Sequence, residues 1–208
     1  MTERRQAAIG SEERLGELAY RIRACALCKG DMPNTPNPIF QVSSTARILI
    51  ASQAPGNLAD QSGKPFDDPS GRRLRSWMGI TDEAFYDASR VAIVPMGFCF
   101  PGYDGKGGDL PPMKRCAAAW RPSLLAELPS IEITLLVGAY SQRWHLGHRS
   151  GRTLAETVGN WRDFVKDGLF PTPHPSWRNN AWLKRHPWFE NDLLPVLQAS
   201  VRSSLQRS

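Results

Sequence analysis

The chain has 208 residues, 41% of them hydrophobic and 22% charged, with a formal net charge of +6. That length suits one domain with a real core, and the composition is that of a globular protein rather than a disordered or fibrous one. No run approaches the ~18 consecutive apolar residues that span a bilayer, and Met1 to Arg5 lacks the apolar segment of a secretory leader, so a cytoplasmic protein with no membrane partner is expected; its basic balance suits a phosphate-rich partner such as nucleic acid.

In chain order, Leu15, Leu18, Ala19 and Ile22 stand at helical spacing behind Ser11, a predicted N-cap, with Glu12 and Glu13 in the first turn. A helix from Ser11 to Ala24 follows, running into Cys25 and Cys28. The proline-rich stretch Lys29 to Ser44 reads as loop. Arg47 to Ala51 is a β-branched run without alternation, the pattern of a strand buried on both faces. It breaks at Pro55-Gly56, as strands do at the carboxyl end of an open α/β sheet, where ligands bind; an ordinary βα connection is the plain alternative. A second turn, Lys64 to Gly71, leads to a helix from Arg72 to Met78. Thr81 is read as the cap of a short turn from Asp82 to Asp87, and Val91 to Val94 as a second buried strand.

Phe100 to Pro112, rich in glycine and proline, is a long loop of the kind that often carries function. Met113 to Leu128 is predicted helical, kinked or divided at Pro122. Ile131 to Val137 is a third strand, closed by Gly138, before a helix from Ala139 to Leu146. Trp161 to Phe170 fits a hairpin or a helix. A loop then carries His174, and Asn191 to Leu205 is a final amphipathic helix. Alternating strands and helices predict an α/β fold, a single three-layer α/β/α sandwich over residues 1–208 with a short, mostly parallel central sheet.

Cys25 and Cys28 form a Cys-x-x-Cys at the end of the first helix, and Cys99 and Cys116 flank the glycine-rich loop. In a reducing compartment four cysteines are thiols or metal ligands rather than disulfides. One tight turn plus two ligands brought in by a loop can close a four-thiolate site, for tetrahedral zinc or a [4Fe–4S] cluster alike. Free buried thiols are the plain alternative.

Three separated stretches carry a resemblance. Ala54-Pro55-Gly56 with Asp60, Gly63, Pro65-Phe66 and Gly71, then His174-Pro175-Ser176 with Arg178 and Asn179, then the four cysteines, resemble the uracil-DNA glycosylase superfamily and within it the iron–sulfur class. The resemblance runs from about Cys25 to Asn180. It implies a glycosylase for a deaminated base, uracil foremost, monofunctional because no lysine sits in a matched position, and acting in base-excision repair. It implies DNA as partner, single- or double-stranded, bound by a monomer, and a [4Fe–4S] cluster on Cys25, Cys28, Cys99 and Cys116 with a structural role.

Such an enzyme extrudes its target nucleotide into a pocket. It needs a surface to stack the base, a donor for the base's developing negative charge, and a group to orient water or offset the sugar's positive charge. By the resemblance Phe66 stacks, His174 donates toward the base O2, and Ala54, Gly56 and Met96 line the base site. Asp60 is the candidate water activator, with Asp67 and Asp68 as alternatives, Gln53 beside it, and Asn57 a weaker candidate for the base. Arg72, Ser176, Trp177, Arg178 and Asn179 face DNA, with Trp182 as a further stacking candidate and Arg73, Lys184 and Arg185 as phosphate contacts. Two positions depart from the pattern. Gln53 stands where the iron–sulfur class has glutamate and has no charge to offer. Pro95 stands where an asparagine reads the uracil edge, and proline has neither a polar side chain nor an N–H. These departures leave open a superfamily member that binds damaged or single-stranded DNA without excision, or one that acts on another base such as hypoxanthine. A zinc-stapled α/β protein with a nucleotide-like ligand is the reading outside the resemblance.

Overall fold

The computed structural model describes residues 2–207, with side chains from residue 10 onward; the Met1 to Arg5 segment read above for a leader lies outside the described side chains. Helix α1 (Thr2–Arg23) begins well before Ser11, which sits inside it rather than capping it and directs its hydroxyl to Glu127. Strand β1 (Ile48–Ala51) is followed by α2 (Asn57–Ser62), α3 (Pro69–Met78) and α4 (Asp82–Tyr86). Asp68 caps α3 by accepting from the Gly71 N–H at 2.7 Å, and Thr81 caps α4 by accepting from the Ala84 N–H at 3.3 Å. Strand β2 (Val91–Ile93) leads through the glycine-rich segment to α5 (Lys114–Ala126), which continues through Pro122 instead of dividing there.

Strand β3 (Ile133–Val137) and α6 (Ala139–Leu146) follow, then α7 (Leu154–Gly159), a short helix with no clear apolar period. The segment read as hairpin or helix is a helix and a strand in succession, α8 (Trp161–Val165) and β4 (Leu169–Thr172). After a 3-10 turn come α9 (Asn180–Arg185), a π-type turn at Phe189–Leu193, and α10 (Leu194–Gln206). Among the described residues no helix is long and apolar enough to cross a membrane.

The sheet order is β2-β1-β3-β4 and every pairing is parallel, with Ile50 beside both Ile93 and Leu135. Because side chains alternate across a strand, β1 and β3 feed two cores. Ile48, Ile50, Leu135 and Val137 pack against Leu74, Trp77 and Met78 of α3 and Leu197 and Val201 of α10. Leu49 packs against Leu15, Ala19 and Ile22 of α1 and Leu124 of α5, while Ala51 and Leu136 meet Leu146 of α6. Helices therefore cover both faces, which is why the strands are unbroken apolar runs. From β1 the chain steps outward to β2, then back across to β3 and β4, so a crevice opens at the carboxyl ends of the strands.

At the opposite end of the sheet Glu132 joins three elements. Its carboxylate accepts from Arg207 and from Ser204 of α10, the latter at 2.8 Å, and from Arg47 before β1. Arg207 first, then Ser204 and Arg47, hold this carboxyl down at about 2 from an ordinary 4.5. A depressed carboxylate stabilises the fold fully above its unfolded value and loses that contribution as pH falls toward the folded one. Glu132→Gln should therefore be less stable than wild type by a constant margin well above pH 4.5. The margin should narrow as pH falls from 4.5 toward 2 in urea unfolding curves; a margin independent of pH would remove Glu132 as the acid-sensitive joint.

Candidate active site

The turn between α2 and α3 is set by a backbone that few residues adopt. Phe66 has φ of 56°, and among the described residues it alone, glycines aside, lies in the left-handed region. Its carbonyl accepts from Arg75 Nη1 at 3.3 Å and from the Tyr86 hydroxyl at 3.2 Å. Arg75 is buried, pairs with Asp82 at 2.7 Å, and lies over the rings of Phe85 and Tyr86. On the other side Gly71 packs so closely that a Cβ there would stand 1.8 Å from the Phe66 carbonyl oxygen. Held this way, the Phe66 ring meets Phe85 edge-on at 6.1 Å and forms one wall of a cavity.

That cavity sits in the crevice at the carboxyl ends of the strands. Ser52, Ala54, Pro55 and Gly56 line it after β1, Pro95 after β2, and His174, Ser176, Trp177 and Arg178 after β4. Burial lowers the His174 pKa and Asp68 partly offsets this, so the imidazole is neutral at neutral pH. Its carbonyl accepts from Asn179 Nδ2 at 2.7 Å, and Gly138 packs beside its Cβ, which fixes the loop. Trp177 stands 72% exposed at the rim.

Two carboxylates line the cavity, Asp68 and Asp109. Asp109 comes from the long glycine-rich segment, which folds into a small hairpin: Gly108 and Gly102 carbonyls accept from Asp104 and Leu110 N–H groups at 2.7 and 2.9 Å. The Asp104 side chain braces the tip by accepting from Lys106 and Gly108, and Arg178 Nη2 donates to the Gly107 carbonyl at 3.0 Å. Asp109 as a whole residue is solvent-exposed and lines both the cavity and the recess beside it. Desolvation there raises its pKa, Arg178 pulls it back, and Asp68 raises it further. Sequence reading missed Asp109 as a site residue; the length of its loop was the available signal.

Several predicted site residues lie elsewhere. Asp60 is absent from the cavity wall because residues 57–62 coil into α2, where Asn37 Nδ2 donates to its carboxylate at 3.2 Å. The side chain of Gln53 is not part of the wall, and its carbonyl accepts from the Gly97 N–H at 2.9 Å. Met96 follows Pro95 at the end of β2 and lines a separate groove against α5 and α6. Arg72 is exposed on α3 away from the cavity, whereas Arg73 donates to the Ser176 carbonyl and to Asn180 at 3.1 and 2.9 Å, tying the His174 loop to α3. Asn179 lies behind the wall as the anchor of His174. Asn57 lines a shallower recess beside the cavity, and Trp182 is buried in the core against Phe189. Lys184 and Arg185 are exposed on α9.

The four cysteines, none in a disulfide, line one small cavity between α1, the glycine-rich segment and α5. Among the described residues no three His, Cys, Asp or Glu side chains are drawn together as ligands of a single ion would be. Three sulfurs receive N–H donors: Cys116 from the Phe98 N–H at 3.4 Å, Cys25 from Trp120 Nε1 at 3.3 Å, and Cys99 from the Asn37 N–H. Burial pushes the Cys99 thiol up to about 12 and the Cys116 thiol to about 11, and proximity to the other thiols adds to both. The N–H donors favour thiolates, while dry walls and mutual repulsion disfavour them.

A family model described as the uracil DNA glycosylase superfamily matches residues 40–198. The match spans the sheet, the Phe66 turn and the His174 loop, and begins after Cys25 and Cys28.

The packing of Gly71 on the Phe66 carbonyl makes the turn testable apart from any activity. Gly71→Ala should lower the unfolding free energy by about 1–3 kcal/mol, the usual cost of overpacking, measured by urea denaturation. A variant as stable as wild type would mean that the turn yields freely.

Proposed function

The chain belongs to the uracil DNA glycosylase superfamily, whose members are generally DNA glycosylases, and we propose that it hydrolyses the N-glycosidic bond of a deaminated base, uracil foremost, extruded from DNA into the cavity. The observation that carries this is a neutral, enclosed His174 sharing one cavity with Phe66 and the carboxylates of Asp68 and Asp109. In this reading Phe66 stacks on the base and a protonated nitrogen of neutral His174 donates to its O2 as the C1′–N1 bond breaks. The electron pair leaves with the base as an anion, which that hydrogen bond stabilises. Positive charge on the sugar is offset by Asp68, water adds at C1′, and a carboxylate accepts the water's proton. Asp68 and Asp109 take the place first given to Asp60.

Pro95 presents hydrocarbon to the base, its carbonyl turned to Arg121 at 2.9 Å. Base selection in this reading rests on Phe66, His174 and the main chain of residues 54–56. Uncharged Gln53 and apolar Pro95 support a second reading, a member that binds single-stranded or damaged DNA without excision.

We also assign the four cysteines to a [4Fe–4S] cluster, with zinc as the alternative. Their shared cavity and the three N–H donors aimed at sulfur support thiolate ligands. Bound there, the group would supply a structural cross-link between α1, the glycine-rich segment and α5, and no redox step.

In single-turnover assays on oligonucleotides carrying uracil, hypoxanthine or xanthine, Phe66→Ala should lower excision by about 10–100-fold, the scale of one stacked base, and His174→Ala by about 10²–10³-fold, the usual loss for one donor to a developing anion. Asp68→Asn or Asp109→Asn should fall by a similar order. Loss in Asp60→Asn alone would return the role to Asp60, and a wild type that binds DNA but excises nothing would establish the second reading. Anaerobically purified protein should absorb broadly in the visible and carry about four irons per chain. Cys99→Ser should lose both; stoichiometric zinc without iron would replace the cluster.

A further inference from the structure

Beside the cavity lies a second groove, between the start of α5 and α6, lined by Met96, Pro112, Lys114, Tyr140, Arg143 and Trp144 among others. The two share no wall residue but adjoin along the chain. Pro95 walls the cavity and Met96, the next residue, walls the groove. Gly138, which heads α6, packs beside His174, and Tyr140 stands two residues further on. Both openings therefore face the carboxyl edge of the sheet.

The groove offers two aromatic rings, Tyr140 and Trp144, each 38% exposed. Trp144 is set from beneath: the fully buried Arg121 guanidinium lies 4.7 Å from its ring centre and His145 meets it at 4.6 Å. Arg121 is itself fixed, donating to the Val94 and Pro95 carbonyls and to His145 Nε2, the last at 2.7 Å. An indole held this way needs little ordering when a flat partner arrives. Among the described residues Lys114 and Arg143 are exposed cations with no ion pair, and no acidic side chain lines the groove. Aromatic faces with unneutralised cations, next to a site for an extruded nucleotide, match the chemistry of unpaired nucleic acid.

We propose that this groove is a second nucleotide subsite, which stacks an unpaired base of single-stranded DNA on Trp144 and Tyr140 while Lys114 and Arg143 meet the flanking phosphates. It rests on the reading of the adjacent cavity as a DNA site. Arg121 links the two, holding the Pro95 wall of one and the Trp144 face of the other.

The test is a fluorescence-anisotropy titration of full-length protein with a uracil-free 12-nucleotide single strand and the matching duplex, over a series of salt concentrations. Tyr140→Ala should bind the single strand about tenfold more weakly, within the range for one stacked base, and lose much less on duplex. The Lys114→Gln/Arg143→Gln pair, exposed on the surface and so tolerant of change, should reduce the salt slope on single strands by about 1.4, or 0.7 per lost phosphate contact. Wild-type affinity and slope in both variants would overturn the subsite, as would an equal loss on duplex. A wild type that excises no base yet shows these losses would keep the subsite and remove the glycosylase. Excision abolished by His174→Ala, with groove variants binding as wild type, would do the reverse.

Discussion

The carbonyl oxygen of Phe66 is the point on which the site is built. It belongs to a residue in a backbone conformation that disfavours side chains, and two donors from the buried side of the turn, Arg75 and Tyr86, converge on it. Without them the turn would relax toward an ordinary φ and swing the ring out of the cavity wall. Arg75 is an expensive tool for this, since a buried guanidinium must keep its charge compensated. Asp82, at the start of α4, supplies the compensation, and the Phe85 and Tyr86 rings cover the rest. The same device recurs on the other side of the sheet, where buried Arg121 holds the carbonyls of Val94 and Pro95. There the partner is a neutral histidine rather than a carboxylate. Burial and the adjacent guanidinium hold His145 down at about 3, so it can only accept from Arg121.

Fixed walls determine the electrostatics inside. His174 is enclosed, which disfavours its cation, while Asp68 pulls in the opposite direction. Burial prevails, and the ring remains a neutral donor. Asp68 is already committed through one oxygen to the α3 cap, which orients the other. Asp109 is carried by a hairpin tethered to the His174 loop by the Arg178–Gly107 hydrogen bond. Desolvation raises the Asp109 pKa, Arg178 lowers it, and the nearby Asp68 charge adds to the rise.

Much of this fold could be read from the chain. β1, β2 and β3 are apolar runs because helices cover both faces of the sheet, and that burial leaves its mark on every residue of the strand. The boundary between α8 and β4 was ambiguous because Trp161, Phe164 and Phe170 fit either period over so short a span. Helices α2 and α7 are too short to show a period at all. In the site, motif residues such as Phe66 and His174 line the cavity, while Asp60 lies off its wall, since a helix beginning at Asn57 turns it toward Asn37. Arg75 was legible in principle: Gly71, Leu74, Arg75 and Met78 share one helical face, and all are buried. Asp109 was not, because only a long-range hairpin brings it to the wall.

Asn37 shows how closely the regions are joined. Its main-chain N–H points at the Cys99 sulfur while its side chain donates to the Asp60 main-chain carbonyl at 2.9 Å, so one residue spans the cysteine cavity and the helix that follows the β1 loop. Phe98, whose N–H donates to Cys116, also packs edge-on against Phe40 at 5.2 Å and accepts at its carbonyl from Ile39, itself part of the cavity wall. Any group that drew the four thiols together would therefore pull on the strand ends beneath the site through two separate paths. The cysteine cavity is better regarded as part of the scaffold of the site than as an appendage of α1.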